Sequence, residues 1–233
     1  MLKTVFVPIN RAGWPFIALF AVAAVILGLI ASPLGWLGVI LTLWCVYFFR
    51  DPDRISPVRP GLIISPADGV VQFVDKAAPP PELEMGDQQL DRVAIFMNVF
   101  DVHVNRIPCD GVISGLSYRP GKFFNASLDK ASEFNERQSV RMTVSNEGGG
   151  PEKEIAFVQI AGLVARRIIC NINEGQPVKA GERFGLIRFG SRVDVYLPEG
   201  ASILVAVGQR SIAGETVISD LRLPGESRTG EIR

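Results

Sequence analysis

A glycine followed by a serine, set between two apolar strand-like runs, is a pair that can react with itself. Gly190-Ser191 lies in Ile187-Arg188-Phe189-Gly190-Ser191-Arg192-Val193-Asp194-Val195-Tyr196-Leu197-Pro198 and is the only Gly-Ser in the chain. The serine hydroxyl can attack the preceding carbonyl and turn the amide into an ester. Glycine leaves that carbonyl open and tolerates strained backbone angles. Elimination from the ester gives dehydroalanine, which hydrolyses to a pyruvoyl group. Such a step needs a base near the hydroxyl and donors for the oxyanion. Taken alone, the same dipeptide also marks an ordinary strand bulge.

The candidate base is His103, in Phe100-Asp101-Val102-His103-Val104-Asn105-Arg106, on or beside a strand. It is the sole histidine and the only side chain whose unperturbed pKa lies near neutrality. A lone histidine also excludes a multi-histidine metal site. Asp68, in Ser65-Pro66-Ala67-Asp68-Gly69, could orient the imidazole, although Asp-Gly is equally a plain turn. A Ser/His/Asp set is recognised by geometry, which spacing alone does not supply.

These residues need a scaffold. Short β-branched runs alternate with Gly, Pro, Asp and Asn after Arg50: Val70–Val74, Val93–Val99, Val140–Val144, Ile155–Ile160, Phe184–Phe189, Val193–Leu197, Ile203–Val207 and Glu215–Ile218. The pattern predicts a mostly β domain, sandwich- or barrel-like, with few short helices. Residues 76–88, with three consecutive prolines, read as an exposed loop, Asn125–Arg137 as a helix or helical turn, and Glu147–Lys153 as a hairpin tip. Gly175–Glu182 and Gly208–Glu215 share the pattern G-Q-x-x-x-A-G-E, thirty-three positions apart. Two copies of a turn-then-strand unit predict two similarly folded, lipoyl-like halves. Neither copy offers the lysine-bearing hairpin of a biotin or lipoate carrier.

The first fifty residues differ in texture. No charged residue occurs from Ala12 to Phe49. Ser32-Pro33-Leu34-Gly35 interrupts this run and predicts a turn between apolar helices over 14–31 and 36–49. Basic residues on both sides, Lys3 and Arg11 before and Arg50, Arg54 and Arg59 after, predict that both ends face the cytoplasm. A hairpin that only dips into one leaflet fits the short helices as well. The expected division is 1–50 for the membrane-associated hairpin and 51–233 for the catalytic β-rich domain. The 233 residues carry 24 basic and 24 acidic side chains, so no basic surface argues for nucleic acid. The three cysteines show no metal-binding spacing and read as buried, reduced thiols.

Taken together, the ordered motifs resemble phosphatidylserine decarboxylase proenzymes, in particular their shorter prokaryotic branch. The residues that carry the resemblance are Phe49-Arg50-Asp51-Pro52, Ser65–Gly69, Phe100–Arg106, Gly121-Lys122-Phe123, Asn135-Glu136-Arg137, Gln159–Gly162, Ala165-Arg166-Arg167 and Phe189-Gly190-Ser191. The resemblance implies cleavage between Gly190 and Ser191 into chains 1–190 and 191–233, which stay together as a heterodimer. Asp68, His103 and Ser191 would form the self-cleavage machinery. A covalent pyruvoyl group on the smaller chain, with no metal, would form a Schiff base with phosphatidylserine and release carbon dioxide to leave phosphatidylethanolamine. Arg119, Lys122, Arg166 and Arg167 are candidates for the lipid phosphate. Family members are often dimers, and a higher homo-oligomer is compatible with this. The expected location is the cytoplasmic face of the cell membrane. Where the longer branch has a second histidine, three positions after the first, this chain has Arg106. The rival readings are a membrane-anchored serine hydrolase built on Ser191, His103 and Asp68, and a non-enzymatic docking scaffold.

Overall fold

The computed structural model describes residues 7–121, 134–144, 152–162, 167–188 and 190–222. The chain divides into two compact units: Met1–Asp53 with Val99–Val102, and Arg54–Asn98 with His103–Arg233. Each is considered by itself.

The first unit is a pair of apolar helices, α1 (Trp14–Ile30) and α2 (Ser32–Phe48). A single extended residue, Ala31, separates them. The break therefore falls earlier than the predicted turn, and Ser32-Pro33-Leu34-Gly35 forms the first turn of α2. Proline is well placed there, because the first helical N–H groups have no partner to lose. The helices approach closely through small residues: a Cβ on Gly35 would meet the Gly28 Cα at 2.7 Å, and one on Gly38 would meet Ala24 at 2.6 Å. The helical stretch Arg11–Ile30 is long and apolar enough to cross a membrane, with a mean hydropathy of 2.4, while Ser32–Phe48 is shorter. Arg50 closes the unit, donating from Nη2 to the Phe100 carbonyl at 2.7 Å and from Nη1 to that of Tyr47 at 2.8 Å.

The second unit is built from fourteen strands among the described residues, all paired antiparallel: β1 (Leu62–Ile64), β2 (Gly69–Ala77), β3 (Leu90–Met97), β4 (Val104–Arg106), β5 (Gly111–Arg119), β6 (Arg137–Val144), β7 (Lys153–Ala161), β8 (Ile168–Cys170), β9 (Pro177–Val178), β10 (Arg183–Ile187), β11 (Ser191–Leu197), β12 (Ser202–Ile203), β13 (Arg210–Ser211) and β14 (Val217–Asp220). The eight-stranded sheet runs β13-β2-β3-β11-β7-β6-β5-β9, and two three-stranded sheets run β1-β14-β12 and β4-β10-β8. The mostly β expectation holds.

The sheet orders reveal how the halves are arranged. Read outward from the β11/β7 contact, β11-β3-β2-β13 mirrors β7-β6-β5-β9, and β1-β14-β12 mirrors β4-β10-β8. One half is thus continuous, β4 to β10. It is inserted between β3 and β11 of the other, which is built from β1–β3 and β11–β14.

The hydrogen bonds repeat with the strands. The Ile64 N–H donates to the Pro108 carbonyl at 2.8 Å, and the Arg106 N–H to that of Pro66 at 2.9 Å. Gly181 N–H donates to Ile107, and Gly214 N–H to Ser65. The two G-Q-x-x-x-A-G-E turns occupy matching places. A second repeated element pairs with them, Pro66-Ala67-Asp68-Gly69-Val70 and Pro108-Cys109-Asp110-Gly111-Val112.

The core lies between the sheets, with Ile95, Met97, Ile113, Phe157, Val193 and Val195 all buried. The proline loop after β2 is less exposed than its composition suggests. A 3-10 turn over Pro81–Leu83 buries Leu83, and Arg137 grips Glu82 with two hydrogen bonds of 2.7 and 2.6 Å. Ser139 adds a third at 2.9 Å. The predicted helix over 125–137 lies outside the described residues up to 133, and its last residue, Arg137, opens β6. The hairpin tip of 147–153 likewise falls outside them up to 151.

Burial raises the Glu82 carboxyl, but its bonds to Arg137 and Ser139 and the Arg137 charge bring it below the ordinary value overall. A carboxylate lowered on folding contributes stability above its unfolded pKa, and that contribution is lost as pH falls through the lowered value. Glu82→Gln is therefore expected to cost under about 1 kcal/mol at neutral pH, because the group is partly exposed. The gap in melting temperature between variant and parent should narrow as the solution is acidified.

Candidate active site

The nested half is entered through the β3–β4 link and left through the β10–β11 link. His103 lies on the first link and Gly190 on the second. The two are brought side by side: Ile187 N–H donates to the His103 carbonyl at 3.3 Å, and Gly190 N–H donates to His103 Nε2 at 3.4 Å. A ring nitrogen that accepts a hydrogen bond carries no proton, so Nε2 is in the form a base requires. The imidazole is fully buried. Gly190 has φ +71°, in the left-handed region that a side chain disfavours.

Ser191 is the first residue of β11 and is held on both sides, opposite Met97 of β3 and Ala161 of β7. It is fully buried, and its Oγ has no hydrogen-bond partner among the described residues. An unsatisfied buried hydroxyl costs about 1–3 kcal/mol.

Asp68 is fixed by its loop. Its Oδ1 accepts the Ala213 N–H at 2.7 Å, and its Oδ2 accepts Arg54 Nη2 at 2.8 Å. The first contact has a counterpart in the nested half, where Asp110 Oδ1 accepts the Ala180 N–H, also at 2.7 Å. Asp68 thus does the turn-clamping job that Asp110 does, and the bond to Arg54 is additional. Arg106 also serves the scaffold, donating from Nη1 to the Gly181 carbonyl at 2.8 Å.

Of the basic candidates, Arg119 is exposed at the end of β5, and Arg167 is exposed just before β8. Lys122 and Arg166 lie outside the described residues. Sequence reasoning passed over Arg188, whose N–H donates to the Arg167 carbonyl at 3.3 Å. Burial, and then the Arg167 charge, lower its pKa, so cationic charge is concentrated two residues before Gly190.

A charged cluster also lies on the opposite face of β11. Arg192 and Asp194 are fully buried, with Nη2 donating to Oδ2 at 3.0 Å and Nε 2.7 Å from Oδ1. Arg92 Nη1 lies 3.6 Å from Asp194 Oδ2, while Arg92 Nε and Nη2 donate to Asp75 Oδ1 and Oδ2 at 2.9 and 2.7 Å. Both arginines sit over the Phe73 ring. Burial pushes the Asp194 carboxyl up, against the pull of Arg192 and Arg92, and pushes Tyr196 up to about 12. Alternation in Ser191-Arg192-Val193-Asp194-Val195 resembles a wet face, yet both charges are enclosed.

The family model for phosphatidylserine decarboxylase matches residues 41–219. Over all 233 residues the chain is 62% identical to the phosphatidylserine decarboxylase proenzyme of Paramagnetospirillum magneticum, covering 95% of that protein. It is 55% identical to the proenzyme of Cereibacter sphaeroides, covering all of this chain and 98% of the relative. A third, from Ruegeria pomeroyi, is 56% identical over 222 residues, covering 95% of this chain and 99% of the relative.

Removing one partner of a buried ion pair leaves the other charge uncompensated, at about 3–5 kcal/mol. Asp194→Ala should therefore lower the denaturant midpoint sharply. An unchanged midpoint would show that the cluster carries no weight.

Proposed function

The chain belongs to the phosphatidylserine decarboxylase family, and from that premise we propose that it cuts itself between Gly190 and Ser191 and decarboxylates phosphatidylserine with the pyruvoyl group so formed. That it is a decarboxylase follows from the family. Self-processing is supported above all by one observation: a buried serine hydroxyl, without a partner among the described residues, follows a glycine whose N–H rests on the only imidazole in the chain.

In the proposed step the Ser191 Oγ bonds to the Gly190 carbonyl carbon, the peptide C–N bond breaks, and the hydroxyl proton passes through His103 to the released nitrogen. The glycine's open carbonyl and left-handed backbone favour the approach. Loss of the Ser191 Cα proton then breaks the ester, leaving a Gly190 carboxylate and dehydroalanine. One water enters, ammonia leaves, and a ketone remains. The residues present fit such a group: Ser191 is held in register by β3 and β7 when the preceding bond is gone. The ketone supplies an electrophile for the substrate amine and an electron sink as carbon dioxide departs. His103 then returns a proton at Nε2, and Arg167, Arg188 and Arg119 attract the lipid phosphate, together with Lys122 and Arg166 in the same role. Enclosure of Ser191 in the uncut chain favours attack on its own backbone over an external ester, as a serine hydrolase would need.

The apolar helices suit a substrate that stays in the bilayer. We place the β-rich unit on the cytoplasmic face of the cell membrane, with residues 1–50 as its anchor and 51–233 as the catalytic domain.

Intact mass measurement is expected to show two polypeptides, 1–190 and 191–233, the smaller carrying a hydrazine-reactive ketone. Ser191→Ala should remain whole and inactive, and an uncut wild-type chain with full decarboxylase activity would overturn the proposal. Asp68→Asn and Asp110→Asn disturb matched turns, and Asp68→Asn should lose more than the roughly 1 kcal/mol expected of Asp110→Asn, because it also gives up the ion pair with Arg54. Only Asp68→Asn should also slow cutting, if its carboxylate assists His103. Equal cutting by both would confine Asp68 to its turn.

A further inference from the structure

Two buried amide side chains lie beneath Ser191. Asn105 and Gln159 are fully buried, and Gln159 Nε2 donates to Asn105 Oδ1 at 2.8 Å. Asn105 Nδ2 faces the Pro66 carbonyl at 3.4 Å and the Met97 sulfur at 3.7 Å. Met97 stands directly opposite Ser191.

The direction of this chain is forced. A backbone carbonyl only accepts, so Asn105 must turn its NH₂ to Pro66 and its oxygen to Gln159. Gln159 must then give its NH₂ to Asn105, and the Ile169 carbonyl, 3.5 Å from the same nitrogen, demands the same orientation. What remains is Gln159 Oε1, a buried acceptor with no donor among the described residues.

Ser191 Oγ is likewise buried and partnerless. In the β7–β11 register Ser191 faces Ala161 and Val193 faces Gln159. Gln159 and Ser191 are therefore diagonal neighbours on one face, about 7–8 Å apart at Cα in general, a gap that a long side chain crosses. One atom is an acceptor and the other a donor.

We infer that Gln159 is a positioning residue for self-cleavage: the two atoms are not bonded to each other in this structure, and a turn of the side chains brings the Ser191 hydroxyl hydrogen onto Oε1 and aims the oxygen lone pairs toward the Gly190 carbonyl. A carboxamide is no base, so the proton still leaves through His103 as the new bond forms. The inference rests on the proposed self-processing and names a further residue within it.

The test uses the full chain synthesised in vitro in the presence of phospholipid vesicles, with cutting followed over time by gel and mass. Hydroxylamine, which cleaves esters, reports the first step separately. Gln159→Met, similar in shape but without an acceptor, is expected to cut about tenfold more slowly. It should also form hydroxylamine-cleavable ester more slowly, and it lowers the melting temperature because Asn105 Oδ1 loses its donor. Gln159→Glu keeps an oxygen acceptor but loses the donor to Asn105 and Ile169, so for the same loss of stability it should cut faster than Gln159→Met.

Parental cutting by Gln159→Met would overturn the inference, as would equal slowing by Met and Glu with matched losses of stability. If the methionine variant does not fold, a folded Gln159→Glu that cuts more than about tenfold more slowly than the parent overturns it instead. Failure of the underlying reading looks different, because the parent chain itself would then stay whole.

Discussion

The placement of one strand governs the rest of the molecule. β11 begins at Ser191 and is paired along its length with β3 on one side and β7 on the other. A strand with both edges occupied cannot slip without breaking two ladders and turning its apolar face outward. The serine is therefore held at the end of a strand paired on both edges, beside the link that carries Gly190. Buried charges strengthen that constraint: Arg192 and Asp194 alternate with Val193 and Val195, so slippage by one residue would drive ions into the apolar core.

The nested duplication explains why His103 meets Gly190 although 87 residues separate them. The links into and out of the inserted half necessarily begin and end at the same seam. The matched turns at Asp68 and Asp110 show that the same hardware was needed twice for folding. Both turns open a strand of the sheet that receives Ser191, β2 and β5, but only the entry link carries a histidine. What distinguishes the active half is thus a small number of side chains on a shared frame.

Much of this was legible in the sequence. The β-branched runs mark β2, β3, β6, β7, β10 and β11, because strands buried on a face need such residues. The repeated G-Q-x-x-x-A-G-E marks the two halves. β5, Gly111–Arg119, escaped notice because its glycines and serines resemble a loop until β6 and β9 pair with it. The Pro-x-Asp-Gly-Val repeat is visible in the letters, but its spacing differs from that of the first repeat, since the halves are nested rather than consecutive. Gln159, a lone amide in Phe157-Val158-Gln159-Ile160-Ala161, was a signal of a buried polar role. His103 and Ser191 could be named by type, whereas the contact through Gly190 comes only from topology.

The nesting also has a consequence for biosynthesis. A ribosome delivers the continuous half, β4 to β10, well before β13 and β14, which complete the outer half by pairing with β2 and β1. Asp68 receives the Ala213 N–H only when that late segment has emerged. A nascent chain stalled after Ser191 would hold the scissile pair but lack its finished surroundings. The self-cleavage proposed above would thereby be tied to the completion of the outer half, so that the fold would act as its own checkpoint.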